Sequence, residues 1–211
     1  MRNEFYGDRK DLWKWTVALD EARERQILYL AMYRPDRKIK PMPGVRADVI
    51  KFFHAEHVAL SAEKQCSRIR NLSSRIVPFL APYEPREMNT FLAPVKQALE
   101  SRIKTSSYVV FLDPDTGIRE ESGPEHACPR LLASVWKSML AGDTLLIYQH
   151  YPRKKLDSWL PAAKELIATA LQADFSDVND KRHSGVCFFS VCKRTNHAID
   201  SELAHVQTEH L

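Results

Sequence analysis

Two stretches constrain the fold of this chain more than any others. Residues 108–117 (Tyr-Val-Val-Phe-Leu-Asp-Pro-Asp-Thr-Gly) and 143–153 (Asp-Thr-Leu-Leu-Ile-Tyr-Gln-His-Tyr-Pro-Arg) each contain an apolar, strand-forming run that stops abruptly in charged or polar residues. The sequence between them is long enough for one helix. Buried strands joined in this way pair in parallel, and their carboxyl ends open onto a common cleft, where open α/β sheets bind ligands.

The rest of the chain repeats the alternation. Leu12, Trp15, Leu19 and Ala22 recur at helical spacing, which predicts a first helix over 8–24, and Asp8 and Asp11 suit its positive end. An apolar run over 26–32 predicts a strand, followed by a basic, proline-marked loop as far as Gly44. A long helical pattern over 47–70 begins apolar and ends basic. The run 75–80 contains Pro78, which removes a ladder donor and marks an edge or a strand end. Helices are predicted over 86–103, 125–141 and 156–172, between strands at 107–113 and 144–149. The apolar stretch 184–192 predicts a last strand, with 173–178 as its hairpin partner across a polar turn at 179–183. The expectation is one Rossmann-like α/β domain over 1–211. Its sheet is mostly parallel, with helices on both faces and a C-terminal antiparallel hairpin; 195–211 forms a terminal helix or a mobile tail.

Composition narrows the function classes. With 211 residues, 44% of them hydrophobic and 27% charged, the chain can bury one sizeable core. A net charge of +4 suits a nucleic-acid or nucleotide partner without requiring one. No stretch approaches the roughly 18 apolar residues of a membrane span, no signal-peptide pattern opens the chain, and a cytoplasmic, reducing setting is expected. The four cysteines lack metal-knuckle spacing, and the odd offset between Cys187 and Cys192 sends them to opposite faces of a strand. His54-Ala-Glu-His57 lacks the i, i+4 histidine pair of a zinc helix and reads as a solvated face, so no resident metal site is assigned.

The layout resembles the Rossmann-like S-adenosylmethionine-dependent methyltransferases, nearest the bacterial 23S ribosomal RNA adenine-N6 enzymes with a DPPY-type motif. The likeness is carried by Phe5-Tyr-Gly-Asp-Arg-Lys-Asp-Leu-Trp-Lys14, Ile27-Leu-Tyr-Leu30, Val110-Phe-Leu-Asp-Pro-Asp115 and Ile147-Tyr-Gln-His-Tyr-Pro152. The chain also looks like uncharacterised bacterial proteins that share the Asp-Pro-Asp-x-Gly and Tyr-Gln-His blocks. It departs from the methyltransferase pattern where the first strand runs into Met32-Tyr33-Arg34-Pro35 instead of a glycine-rich turn. A second departure is that Asp115 and Thr116 replace the second proline and the aromatic of the motif. The resemblance implies S-adenosylmethionine as cofactor, contacted by Asp8, Asp11 and Lys14. It also implies an acceptor amine held by Asp113 and the carbonyl of Pro114.

The residues themselves leave several readings open. Tyr148 and Tyr151 offer stacking faces to a substrate, and His150 and Arg153 offer phosphate contacts. Asp113 and Asp115, with Glu120, Glu121 and His126 on the following loop, are also the oxygen and nitrogen ligands that a Mg or Mn phosphodiesterase would use, with His150 and Arg153 binding or protonating the phosphate. Asp113 and Asp115 equally suit a turn at Gly117, because Asp-Pro and Thr-Gly are turn dipeptides. By spacing alone, Asp11 and Lys14 form a surface ion pair on the first helix. The third reading is a non-catalytic nucleic-acid or protein-binding module on a degenerate methyltransferase scaffold.

Overall fold

The computed structural model describes residues 9–31, 44–49, 51, 68–80, 88–101, 106–114, 116–121, 126–152, 155–183 and 185–194. Among the described residues, the helices α1 (Arg9–Ala22), α2 (Met88–Ser101), α3 (Pro129–Ser138) and α4 (Leu156–Leu171) pack on one mixed sheet. Its strands are β1 (Gln26–Ala31), β2 (Ile76–Leu80), β3 (Tyr108–Asp113), β4 (Thr144–His150), β5 (Asn179–His183) and β6 (Val186–Cys192). They lie in the order β2-β1-β3-β4-β6-β5. The first four are parallel, and β6 runs antiparallel to both β4 and β5.

The alternation of side chains along each strand sorts the core into two layers. Leu28, Leu30, Val110, Leu112, Leu145, Ile147, Cys187 and Phe189 face α2, α3 and α4. Ile27, Tyr29, Val109, Phe111, Leu146, Tyr148, Val186 and Phe188 face α1 and its residues Leu12, Trp15, Ala18, Leu19 and Ala22. Helices therefore cover both faces, as expected. Cys187 is buried and Cys192 exposed, in keeping with their opposite faces. Strand β2 is an edge strand and tolerates Pro78 opposite Tyr29.

The C-terminal hairpin forms, but with a different first arm. The partner of β6 is Asn179–His183, the stretch read from sequence as the turn. Gln172 takes a left-handed conformation after α4, and Phe175–Asp177 forms a 3-10 turn, so 173–178 is used up in reaching the sheet edge. An outer strand needs only its backbone for pairing, and the charged side chains of β5 suit an edge. Gly185, just before β6, has a φ of +81°. Helix α3 is shorter than the predicted 125–141. Pro129 starts it, and Asp143 captures the Leu140 amide beyond its end. Of the 47–70 pattern, 47–49 and 51 are helical and Arg68–Asn71 is a 3-10 turn; the remainder lies outside the described residues, as do 32–34 and 195–211. No helix among the described residues is long and apolar enough to cross a membrane.

Candidate functional site

The chain passes from β1 outward to β2 and then back across β1 to β3, so the strand order reverses between β1 and β3. Crevices at such reversals, outside the carboxyl ends of the strands, are where ligands bind in open α/β sheets. Asp113 is the last residue of β3 and lies opposite Ala31 of β1. Pro114, also buried, follows it; lacking an amide proton and restricting the residue before it to extended conformations, it ends the ladder there.

Asp113 is fully buried. Its Oδ2 accepts hydrogen bonds from the Lys14 ammonium at 2.9 Å and from the Tyr29 hydroxyl at 2.7 Å. Its Oδ1 also lies 2.9 Å from Lys14 Nζ, but that ion contact lacks hydrogen-bond alignment, and no donor among the described residues is directed at this oxygen. Lys14 lies 2.8 Å from Asp11 as well, and both side chains are 3% exposed. The surface pair read from spacing is thus a buried pair. Helix α1 continues its sheet-facing stripe of Trp15, Ala18 and Ala22 toward its amino end with Asp11 and Lys14. Burial alone would push the Lys14 ammonium down, but Asp11 and Asp113 outweigh it and hold the group well above the ordinary lysine range.

The network continues sideways. Lys14 Nζ sits 4.3 Å over the ring of Tyr148, whose hydroxyl is 3.3 Å from His150 Nε2. Lys10 Nζ lies 3.0 Å from His150 Nδ1. An ammonium can only donate, so Nδ1 accepts and the remaining ring proton of His150 sits on Nε2, assigned from this pairing. Tyr148 is 1% exposed and also packs on Phe188, so its ring supports Lys14 and His150 from inside the core. Asp11, Lys14, Asp113, Tyr148 and His150 therefore converge.

Gln149 points to the other face and locks the loop after β3. Its Oε1 accepts from the Ile118 amide at 2.6 Å, and its Nε2 donates to the His150 carbonyl at 2.7 Å. Gly117 has a φ of +97° and lies directly against the Gln149 carboxamide, which a Cβ would strike. Thr116 in the same loop is hydrogen-bonded to His126 Nδ1. Asp113 and Gly117 thus combine the two readings of their motif, one contributing to the network and the other to the turn.

Tyr151 is not joined to this network. It packs on Trp159 at 5.4 Å on the α4 side of the sheet. Asp8, Asp115 and Arg153 lie outside the described residues. Sequence reasoning missed Tyr29, Lys10 and the Gln149 lock. Tyr29 carried a usable signal, since a tyrosine inside an aliphatic strand has a hydroxyl that needs a partner. It also missed Trp13, which stacks on His183 at 3.9 Å and ties α1 to the hairpin turn. Burial, then Lys181, lowers the His183 imidazole below its usual range.

Compared with known proteins, the sequence matches no family model and no curated protein.

Proposed function

We propose that this chain is a Rossmann-like domain of the methyltransferase type, which binds S-adenosylmethionine and a nucleic-acid or nucleotide-like acceptor at the carboxyl ends of β1, β3 and β4. The observation that carries this reading is the buried Lys14–Asp113–Tyr29 network at the reversal of strand order. A buried ammonium–carboxylate set is costly to maintain in a core that apolar residues would fill equally well. At the ligand end of an open sheet, it is retained for binding.

The residues fit the cofactor in charge. Asp11 and Lys14 place a carboxylate and an ammonium beside the reversal, complementary to the ammonium and carboxylate of the cofactor's amino-acid end. When bound, S-adenosylmethionine supplies an electrophilic methyl group on a sulfonium centre. Asp113 Oδ1, a buried acceptor with no aligned donor, would take an N–H from the acceptor amine. Tyr148 holds Lys14 in place from below, and His150 with Lys10 borders the same end of the sheet. The divalent-cation reading has less support: the Lys14 ammonium already supplies the positive charge beside the Asp113 carboxylate. No group of three metal-binding side chains occurs among the described residues.

Calorimetry with S-adenosylmethionine tests the proposal. Saturable binding, together with methyl transfer to RNA, DNA or a free nucleoside that is lost in Asp113→Ala, is the expected result. No binding by folded protein at millimolar cofactor overturns it.

A further inference from the structure

We infer that Tyr29 is a positioning residue whose hydroxyl holds the Asp113 carboxylate so that Oδ1 selects ligands bearing an amine. The inference rests on the reading above and extends it to a residue outside the strand-end motifs. In the β1–β3 register Tyr29 pairs with Phe111, two residues before the Ala31–Asp113 pair. Two residues of strand advance about 6–7 Å. That matches the reach of a phenol from its backbone, so the Tyr29 hydroxyl arrives at the Asp113 carboxylate, at 2.7 Å. The ring is fixed by an edge contact with Trp15 at 4.6 Å and by Phe111 at 5.5 Å, so the hydroxyl has little freedom to follow a rotating carboxylate.

The consequence lies in which oxygen is occupied. Lys14 lies equally near both oxygens of Asp113, and its one aligned hydrogen bond to them goes to Oδ2. Tyr29 donates to that same oxygen, Oδ2. That second donor fixes the rotation about the Cβ–Cγ bond and leaves Oδ1 as the acceptor for a ligand hydrogen. An amine satisfies that oxygen, whereas a ligand with only a C–H at the same place leaves it buried and unsatisfied, the asymmetry by which polar sites reject analogues lacking a donor.

The test compares adenosine with purine riboside, which differs only by the missing amine, by calorimetry in the presence of S-adenosylmethionine. Wild-type protein should prefer adenosine by at least about tenfold, the range of a hydrogen bond to a charged group. Tyr29→Phe keeps the ring and should reduce that preference several-fold while leaving purine riboside affinity unchanged. A merely structural role would weaken both ligands together. If Tyr29→Phe keeps the full preference, or loses both ligands equally, the inference is overturned. If the wild-type protein itself shows no preference, the assignment of Asp113 as amine acceptor falls, and this inference with it. Should Tyr29→Phe not fold, 3-fluorotyrosine at position 29 preserves the packing and strengthens the phenol as a donor. An adenosine preference unaltered by that change overturns the inference, and an altered one supports it.

Discussion

Asp113 and Asp143 lie at opposite ends of neighbouring strands, and both are fully buried. Asp143, just before β4, accepts from the backbone amides of Tyr108 at 2.9 Å and Leu140 at 2.7 Å, one on each oxygen. It fastens the α3–β4 turn to the start of β3. Asp113 instead takes its donors from two side chains, Lys14 and Tyr29, both on one oxygen. Backbone amides are fixed by the fold, so the first arrangement is a clasp. Side-chain donors carry charge and conformational freedom, and they leave one oxygen of Asp113 without an aligned donor. The same residue type thus serves construction at one end of the sheet and, on the function proposed above, recognition at the other, and what differs is the origin of its hydrogen bonds.

The sharpest way to break this comparison is Lys14→Met. It strands two buried carboxylates, and breaking a buried ion pair from one side costs about 3–5 kcal/mol. A large drop in melting temperature is expected, partly recovered when Asp113→Asn is added; absence of recovery would show that Asp113 is not the residue left in need. Asp143→Ala should follow at about 2–3 kcal/mol, because two buried amides lose their acceptor. The folded protein that remains should bind cofactor as wild type does, and altered binding would erase the distinction between the two ends.

Alkaline titration sharpens the contrast, because the Asp113 network contains a cation. Lys14 keeps its proton in the native state above 10.5, where the unfolded chain has lost it. Its contribution to stability is therefore complete below that pH and falls as pH rises further. Cys187 acts in the same direction from a lower pH. Burial, then Asp180, pushes its thiol up to about 12 from an ordinary 9.0. Melting temperature should accordingly decline from about pH 9 upward. Cys187→Ala should delay the onset of the decline without abolishing it. The smallest expected effect is that of Tyr29→Phe on stability, about 1 kcal/mol for one hydrogen bond, read by urea unfolding.

Much of the fold was legible because its signals are local. Apolar runs ending in Asp113 and His150 marked two parallel strands, and Pro78 marked an edge. The hairpin arm was misplaced because β5, with Asn179, Asp180, Lys181, Arg182 and His183, carries no apolar pattern; only pairing with β6 makes it a strand. In the site, Asp113 and His150 stood out as polar residues at the ends of apolar runs, and Lys14 through the resemblance. The burial of Lys14 did not, since a lysine three residues from an aspartate looks the same on a surface and under a sheet. Tyr29 was hidden because its partner is 84 positions away and is set by register between strands that are not consecutive in sequence.

The contact between Gly117 and Gln149 makes the two strand-end motifs dependent on each other. Neither position tolerates change on its own terms. Alanine at 117 drives a Cβ into the carboxamide, and alanine at 149 removes the acceptor of the Ile118 amide. The double change relieves the collision, so it should cost less than the sum of the two single changes, although the left-handed backbone at 117 keeps it below wild type. In related chains, a side chain at the position of Gly117 should therefore be accompanied by a short residue at the position of Gln149.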